Sequence, residues 1–265
     1  MMKQVVTILW VMYQAVTCLS ATILEVSTMD ELVSTFERAN QKTLAIFDID
    51  MVLIQPEDPA FQMANMKRFS PIVKSLLRSL SPDKIDTCWT LMTLRSDSVL
   101  VDLRFPGFLQ SLNQRKIPLM ALTNNFTGRF GEIESMELWK AQQLQAHGID
   151  FRKMAPTLQE FQFENSARYI DGILFCNGSQ IGKGPLLIQF LEKAALSPEE
   201  IIFVDDREEN VLNVQQALTA FRPETRFSGV HFTLAKNYPS LAISEEEFQA
   251  KWQQIAQEAL QENIK

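Results

Sequence analysis

Two aspartates two residues apart follow a short apolar stretch near the start of the chain. Asp48 and Asp50 come directly after the apolar run 44–47, and in an extended chain residues at this spacing point the same way. A carboxylate among apolar residues is costly unless it is paired, hydrogen-bonded or bound to a cation. The spacing therefore indicates a metal or ligand site, with a solvated acid pair at a strand end as the ordinary alternative.

Polar side chains occupy comparable places in three other segments. Thr123 and Asn124 end one apolar run, Asp205 and Asp206 end another, and Lys183 precedes a predicted helix. Taken singly, these are a turn residue, a helix N-cap pair and a solvated lysine. Parallel strands bring their carboxyl ends to one sheet edge, so we expect all of these groups to meet there.

Four carboxylates gathered at one edge need a positive charge nearby. Each close pair repels by roughly 1 to 4 kcal/mol, depending on the local dielectric. Oxygen ligands without His or Cys favour a hard cation such as Mg²⁺, and the only two histidines, His147 and His231, lack metal-ligand spacing. The sequence therefore predicts Mg²⁺ as the cofactor, with Lys183 as a second, fixed positive charge.

With these residues in place, the chain resembles the haloacid dehalogenase-like superfamily of phosphohydrolases. Its Asp-x-Asp-x-Val/Thr motif corresponds to the segment that begins at Asp48 and ends at Val52, and its strand-end Thr to Thr123. Its lysine ahead of a helix corresponds to Lys183, and its Asp-Asp pair to 205–206. The resemblance covers residues 43–233. One departure is residue 51, a methionine where the superfamily commonly has glycine.

The resemblance implies a mechanism. Asp48 attacks phosphorus and forms an aspartyl-phosphate, while Asp50 protonates the leaving oxygen and later accepts a proton from water. Thr123 and the backbone amide of Asn124 bind phosphoryl oxygens. Lys183 neutralises the negative charge of the nucleophile and the phosphate.

The resemblance also implies a set of metal ligands. Mg²⁺ is expected between Asp48, the carbonyl of Asp50 and the acids of the second pair. Asp206 is expected to contact the ion directly, with Asp205 as support. Asn210, one helical turn further on, is expected to hold a metal-bound water.

Strands alternating with helices predict an α/β fold with a doubly wound parallel sheet and a Rossmann-like core. Residues 22–54 and 99–265 are assigned to that core, and residues 55–98 to a small helical cap insert that selects the substrate. In the insert, Phe61, Phe69 and Trp89 can stack on a base or pack inside, and we expect packing. The predicted strands span residues 44–47, 117–124, 170–176, 201–206 and 227–233.

Local signals mark several helix ends. Thr28 and Glu31 have the spacing of a capping box, a helix is predicted over 133–146 with Gly148 as its stop, and Pro185 is expected to open another. A charged C-terminal helix is predicted from Ser244 onward.

The N-terminus predicts export. Residues 1–21 have a basic start, an apolar centre and small residues at the end, the layout of a secretory signal peptide; the alternative is a buried N-terminal helix. The apolar segment is shorter than the roughly 20 residues that span a bilayer. We expect a periplasmic or secreted protein without a stable membrane span, in which Cys88 and Cys176 are two free, buried thiols.

Charge narrows the partners. The net charge is −7 and no dense basic run occurs, which excludes a broad nucleic-acid surface. The predicted function is therefore a Mg²⁺-dependent phosphatase acting on small phosphorylated substrates. Two alternatives stay open, namely a non-enzymatic binding or effector protein on the same fold and a phosphotransferase.

Overall fold

The computed structural model describes residues 22–237 and 241–262, and the predicted signal peptide lies outside the described residues. Ten strands are described: β1 (Thr22–Val26), β2 (Thr43–Phe47), β3 (Ile54–Pro56), β4 (Ser98–Leu100), β5 (Leu119–Thr123), β6 (Phe161–Gln162), β7 (Arg168–Ile170), β8 (Ile173–Phe175), β9 (Glu200–Asp205) and β10 (Arg226–Phe232). Ten α-helices accompany them: α1 (Met29–Thr35), α2 (Met63–Arg68), α3 (Ser70–Leu77), α4 (Pro82–Leu94), α5 (Phe105–Gln114), α6 (Met136–Ala146), α7 (Lys183–Lys193), α8 (Glu208–Phe221), α9 (Leu234–Asn237) and α10 (Glu245–Gln261).

Eight strands form one central sheet in the order β1-β10-β9-β2-β5-β8-β7-β6. The first six are parallel, and β7 and β6 extend the sheet as antiparallel strands. The prediction of an α/β fold with a large, mostly parallel sheet is confirmed. Strands β3 and β4 form a separate antiparallel ribbon.

The sheet separates two apolar cores. Alternate residues of β2 point to opposite faces, so Phe47 packs in one core and Ile46 in the other. Helices α1, α5 and α6 bury their apolar faces against the first side, and α7 and α8 against the second. Helices on both faces explain why the central strands are apolar throughout.

Two parts of the sheet differ from the sequence prediction. Strand β1, parallel to β10 at one edge, was not predicted. The strand predicted over 170–176 contains β8, but its first residues were assigned wrongly, because β7 and β8 form a hairpin across Asp171 and Gly172, whose φ angles are 52° and 79°. An Asp-Gly pair with both φ angles positive is the usual two-residue hairpin turn, a signal present in the sequence.

The predicted helix ends are close to the observed ones. Thr28 and Glu31 form the predicted capping box, and Gly148, with φ 77°, follows the end of α6. Helix α7 begins at Lys183, two residues before the predicted start at Pro185. Each helix in the described part of the chain is too short or too polar to traverse a lipid bilayer.

Helices α2, α3 and α4 occupy the predicted insert, and α10 packs against them. Trp252 of α10 is fully buried, with its ring 5.9 Å from that of Phe61 and 5.6 Å from that of Trp89. Its Nε1 donates a hydrogen bond of 2.9 Å to the carbonyl of Ala60. We call α2, α3, α4 and α10 the helical wall.

The two described cysteines are free. Cys88 and Cys176 are both buried and form no disulfide, as expected. Burial raises the pKa of the Cys88 thiol to about 11 and that of Cys176 to about 12. Both sulfurs are therefore packing groups rather than reactive thiolates.

Candidate active site

Asp48 lies directly after β2 at the carboxyl edge of the sheet. Its backbone N–H donates to the carbonyl of Val204 at 2.8 Å, which ties it to β9. Its carboxylate oxygen Oδ1 accepts a hydrogen bond of 2.8 Å from the N–H of Ile49. These contacts fix a buried carboxylate at the position predicted for the nucleophile.

Lys183 joins the first and last acidic motifs. Its Nζ lies 2.8 Å from Oδ2 of Asp48 and 2.7 Å from Oδ2 of Asp205. The lysine side chain is 1 % exposed and that of Asp205 is fully buried. One cation thus bridges two carboxylates that are far apart in sequence and adjacent at the sheet edge.

A close contact between α7 and α8 positions Lys183. Gly182 has φ 78°, a conformation that favours glycine. The backbone N–H of Gly184 donates a hydrogen bond of 2.7 Å to Oδ1 of Asn213. A Cβ at Gly184 would lie 2.3 Å from the backbone oxygen of Asn213. Only glycine at residue 184 allows α7 to begin this close to α8.

The adjacent acids Asp205 and Asp206 have different surroundings. Asp205 accepts hydrogen bonds from the Arg207 N–H at 2.9 Å and from Nδ2 of Asn210 at 2.9 and 3.1 Å. No hydrogen bond or ion pair to the buried Asp206 carboxylate is found within residues 22–237 and 241–262. Asn210 therefore orients Asp205 directly, whereas the Asp206 carboxylate accepts no hydrogen bond from the described residues.

The donor set fits a hard divalent cation. One oxygen each from Asp48, Asp205 and Asp206 lies within 4.8 Å of the others, and all three residues are buried. The Asp206 carboxylate belongs to a residue that lines the cavity, so a cation bound there could reach it. The oxygen-only donors match the chemistry of Mg²⁺.

Burial and mutual repulsion shift the protonation of these groups. Burial, with a smaller contribution from the charge of Asp205, raises the pKa of Asp48 to about 7 against the opposing effect of Lys183. Burial and the neighbouring carboxylates also raise the pKa of Asp206 well above its usual range. Burial alone would lower the pKa of Lys183, but the two acids it bridges raise it.

Asp50 is held by residues that the sequence analysis did not identify. Its Oδ1 accepts a hydrogen bond of 2.9 Å from Nζ of Lys140, which is fully buried. Its Oδ2 accepts one of 2.7 Å from Nδ2 of Asn125, and the same nitrogen lies 2.6 Å from Oγ1 of Thr123. Asn125 thus couples the predicted acid–base residue to the predicted phosphate-binding hydroxyl.

The signal for Lys140 was present in the sequence. Met136, Lys140 and Leu144 follow one another at four-residue spacing on α6 and are all buried. A lysine within an apolar helical stripe indicates a buried partner for its charge. Asn125 directly follows the predicted phosphate-binding residue Asn124, but no feature of the sequence indicated a role for Asn125 itself.

Met51 adopts the backbone conformation that glycine would favour. Its φ is 65°, its N–H donates to the carbonyl of Ile54 at 2.7 Å, and its side chain is buried. The loop after Asp50 therefore keeps a left-handed turn without glycine. Side-chain burial compensates for the backbone cost of about 1 kcal/mol.

The backbone of Asp206 is fixed from its other side. Lys236 Nζ donates to the Asp206 carbonyl at 2.8 Å and lies 2.9 Å from Nε2 of His231. Both side chains were missing from the predicted site. They hold the main chain of this residue while its carboxylate stays free.

The structure brings most of the predicted residues to one cavity of about 980 Å³. Asp48, Asp50, Thr123, Asn124 and Asp206 line it. Lys183 and Asp205 lie beneath, buried against Asp48. The Asp50 carboxylate is directed to Lys140 rather than into the cluster of the three other acids, so a metal contact from this residue would have to come from its carbonyl.

Residues 25–265 match the family described as "Protein of unknown function (DUF2608)". An uncharacterised protein of Rickettsia bellii is 24% identical over 225 residues, covering 79% of this chain and 76% of the relative. A Chlamydia trachomatis protein that carries the provisional name of an outer membrane protein is 23% identical over 224 residues, covering 83% and 80%.

Among solved structures, a haloacid dehalogenase-like family hydrolase, SP0104 from Streptococcus pneumoniae, aligns with a TM-score of 0.41 and 15% identity. The alignment covers 73% of this chain and 96% of the other.

Proposed function

The chain belongs to the DUF2608 family, and we propose that it is a Mg²⁺-dependent phosphatase that hydrolyses small phosphomonoesters through an aspartyl-phosphate. The observation that carries this proposal is the arrangement around Lys183, whose Nζ is 2.8 Å from Asp48 and 2.7 Å from Asp205. Beside this pair, Asp206 lines the cavity, where a bound cation could contact its carboxylate. A phosphate can approach an aspartate nucleophile only where positive charge, here from Lys183 and a bound cation, offsets the charge of the acids.

In the first step, an Asp48 oxygen forms a bond to phosphorus as the bond from phosphorus to the leaving oxygen breaks. Asp50 gives its proton to that leaving oxygen. In the second step, water attacks the aspartyl-phosphate, Asp50 takes the proton of the water, and inorganic phosphate leaves. Thr123 and Asn124 bind the phosphoryl oxygens during both steps, and Lys183 balances their charge.

The metal is assigned to the same edge of the sheet. Asp48, Asp206 and the carbonyl of Asp50 would hold Mg²⁺, with Asp205 as support. When bound, the ion neutralises charge on the phosphoryl oxygens and orients the group for in-line transfer. The buried set of three acids supports this assignment.

The motifs support the same chemistry independently of the overall alignment. The aspartate pair, Thr123, Lys183 and the second acid pair occur in the order found in the haloacid dehalogenase-like superfamily of phosphohydrolases. A second carboxylate at Asp50 favours phosphate esters, because its proton is useful only to an oxygen leaving group.

A direct test is hydrolysis of a panel of phosphomonoesters by the chain from residue 22 onward, with and without Mg²⁺. We expect Mg²⁺-dependent phosphate release that EDTA stops and an Asp48→Asn variant lacks. Transfer of the phosphoryl group to water, which gives inorganic phosphate, distinguishes hydrolysis from transfer to an added alcohol, which gives a new phosphate ester. Inactivity of the folded protein across the panel would overturn the proposal in favour of a binding or effector protein.

We further propose that the protein is exported. Support comes from the signal-like residues 1–21 and from the name of the Chlamydia trachomatis relative. A reporter that is active only outside the cytoplasm, fused after residue 30, should be active. Loss of that activity when the apolar segment is interrupted by charged residues is the expected control, and an inactive intact fusion would contradict export.

A further inference from the structure

The cavity at the candidate active site is much larger than a phosphoryl group. Its volume of about 980 Å³ lies at the upper end of the range of pockets that enclose a drug-sized ligand, roughly 300 to 1,000 Å³. Thr123 and Asn124 mark the end that would receive phosphate. The remaining space therefore belongs to the rest of the substrate, and its lining indicates the chemistry of that part.

The helical wall supplies an apolar lining. Met66, Val73 and Met92 line the cavity and are buried, and the partly buried Leu77 and Trp89 line it as well. Such a surface gains free energy by covering apolar groups of a ligand, about 25 cal/mol per Å². The wall thus favours a substrate whose body is apolar rather than a polyhydroxylated sugar.

Three cations lie along the same wall. Lys67 of α2, Lys74 of α3 and Arg78 at the end of α3 all line the cavity, and the four-residue spacing of Lys74 and Arg78 places them on one face of α3. Among the described residues, none of the three forms an ion pair with an acid, and their one side-chain hydrogen bond joins Lys67 Nζ to Asn237 Oδ1 at 3.4 Å. On a chain of net charge −7, these exposed cations at a cavity, which we call the basic row, can attract an anion.

Acidic side chains that line the cavity are engaged elsewhere or lie on other elements. Asp86 accepts hydrogen bonds from Ser179 N–H and Oγ at 2.9 and 2.8 Å. Glu208 and Glu209 belong to α8, which is not part of the wall, and Glu209 pairs with Arg207. The basic row is therefore not neutralised by its own neighbours.

We propose that the substrate is a phosphomonoester whose apolar body carries a second anionic group, a carboxylate or a second phosphate, bound by Lys74 and Arg78. This inference rests on the proposed function and specifies the substrate of the same site. The phosphoryl group lies at the sheet edge, the apolar body contacts the helical wall, and the distal anion meets the basic row.

Binding can be measured without turnover by using phosphonates, in which carbon replaces the ester oxygen. The probes are benzylphosphonate and 4-carboxybenzylphosphonate, titrated in Mg²⁺ and followed by the fluorescence of Trp89, with Trp89→Phe identifying the signal. We expect the carboxylated probe to bind more tightly, by about two- to fivefold for each cation that contacts it. The preference should vanish in a Lys74→Gln/Arg78→Gln double variant.

The matched control is Arg38→Gln/Lys116→Gln, which removes two exposed charges outside the cavity and should retain the preference. Equal or weaker binding of the carboxylated probe, or no binding of either, would overturn the inference. Hydrolysis of phenyl phosphate is measured in parallel. Discrimination between the probes, combined with inactivity across the whole panel of phosphomonoesters, would refute the proposed phosphatase and leave an anion-binding site at the basic row, whereas hydrolysis without discrimination would refute only the substrate assignment.

Discussion

The carboxyl edge of the sheet and the helical wall hold their side chains by different forces. At the edge, Lys183 and the acids around it are fixed by ion pairs and hydrogen bonds of 2.7 to 3.1 Å. In the wall, Trp252 and its neighbours are fixed by aromatic packing. Charges buried for chemistry add little to stability, so mutations should separate activity at the edge from stability in the wall.

The largest expected effect is at the edge. Asp48→Asn removes the nucleophile, and we expect phosphatase activity to fall at least about a thousandfold, or about 4 kcal/mol in the activation barrier. The melting temperature of the metal-free protein should not fall, because the variant also removes a repulsive charge. A steady-state assay and a thermal scan on the same preparation check both parts, and a marked loss of stability would contradict the separation.

In the wall, Trp252→Ala should lower stability, the reverse of the effect expected for Asp48→Asn at the edge. Deleting a fully buried indole is expected to cost about 3 to 5 kcal/mol in the free energy of unfolding, measured by urea denaturation. Leu260→Ala on the same helix is the matched control, since that side chain is 59% exposed and should change stability by less than about 0.5 kcal/mol. Equal effects of the two variants would show that α10 does not depend on this packing.

A variant of Lys140 tests whether the edge also positions Asp50 for the proposed chemistry. Its contact of 2.9 Å to Asp50 fixes the carboxylate that we propose as the acid for the leaving oxygen. Lys140→Met should slow an alkyl phosphate about tenfold more than p-nitrophenyl phosphate, whose leaving group needs no proton. A uniform decrease for both substrates would assign Lys140 a structural role only.

The pH dependence of metal binding follows from the same burial. The pKa of Asp48 is raised to about 7 and that of Asp206 is raised well above its usual range. Because a bound cation requires both carboxylates, Mg²⁺ affinity should fall as the pH falls to 7 and below. Since the pKa of Asp48 is raised on folding, its contribution to metal-free stability is full below about pH 4 and is lost as the pH rises through about 7. Thermal scans with and without Mg²⁺ at pH 6, 7 and 8 should show a growing stabilisation, and a constant one would contradict the shift.

The smallest expected effect concerns Met51, where backbone strain opposes the burial of a side chain. Glycine there would relieve about 1 kcal/mol of backbone strain, but it would remove a buried side chain worth roughly 1.5 to 3 kcal/mol. We therefore expect Met51→Gly to lower the free energy of unfolding by about 1 kcal/mol, as measured by denaturation. A gain in stability would show that the loop is limited by strain rather than by packing.

The edge was more predictable from sequence than the wall for a physical reason. Asp48 and Asp205 stand at the ends of apolar segments and Lys183 stands at the start of a helix, and parallel strands bring their carboxyl ends to one edge of the sheet. By contrast, the amphipathic pattern of α10 shows that one face is buried without showing which element covers it. Strand β1 was missed for a similar reason, because the pattern of a short edge strand does not identify its partner.

Within the edge, how well a contact could be predicted depended on the separation of its two residues in the sequence. The resemblance implied that Asn210 holds a metal-bound water, which stays a prediction, and the structure shows its side chain in contact with Asp205. Lys140 reaches Asp50 from a helix 90 residues later, so only the odd position of its charge in an apolar stripe could have indicated it. Contacts of this kind become visible only when the helix is docked on the sheet.

The packing of α10 on the other wall helices has a consequence for how the protein is made. Every group assigned to the phosphoryl chemistry has been synthesised by residue 206, whereas Trp252, which packs behind α4, follows 46 residues later. A nascent or prematurely terminated chain that lacks α10 would carry the buried carboxylates without the packing that supports the wall. Under the proposed substrate assignment, discrimination between substrates would begin only after α10 has been synthesised and packed.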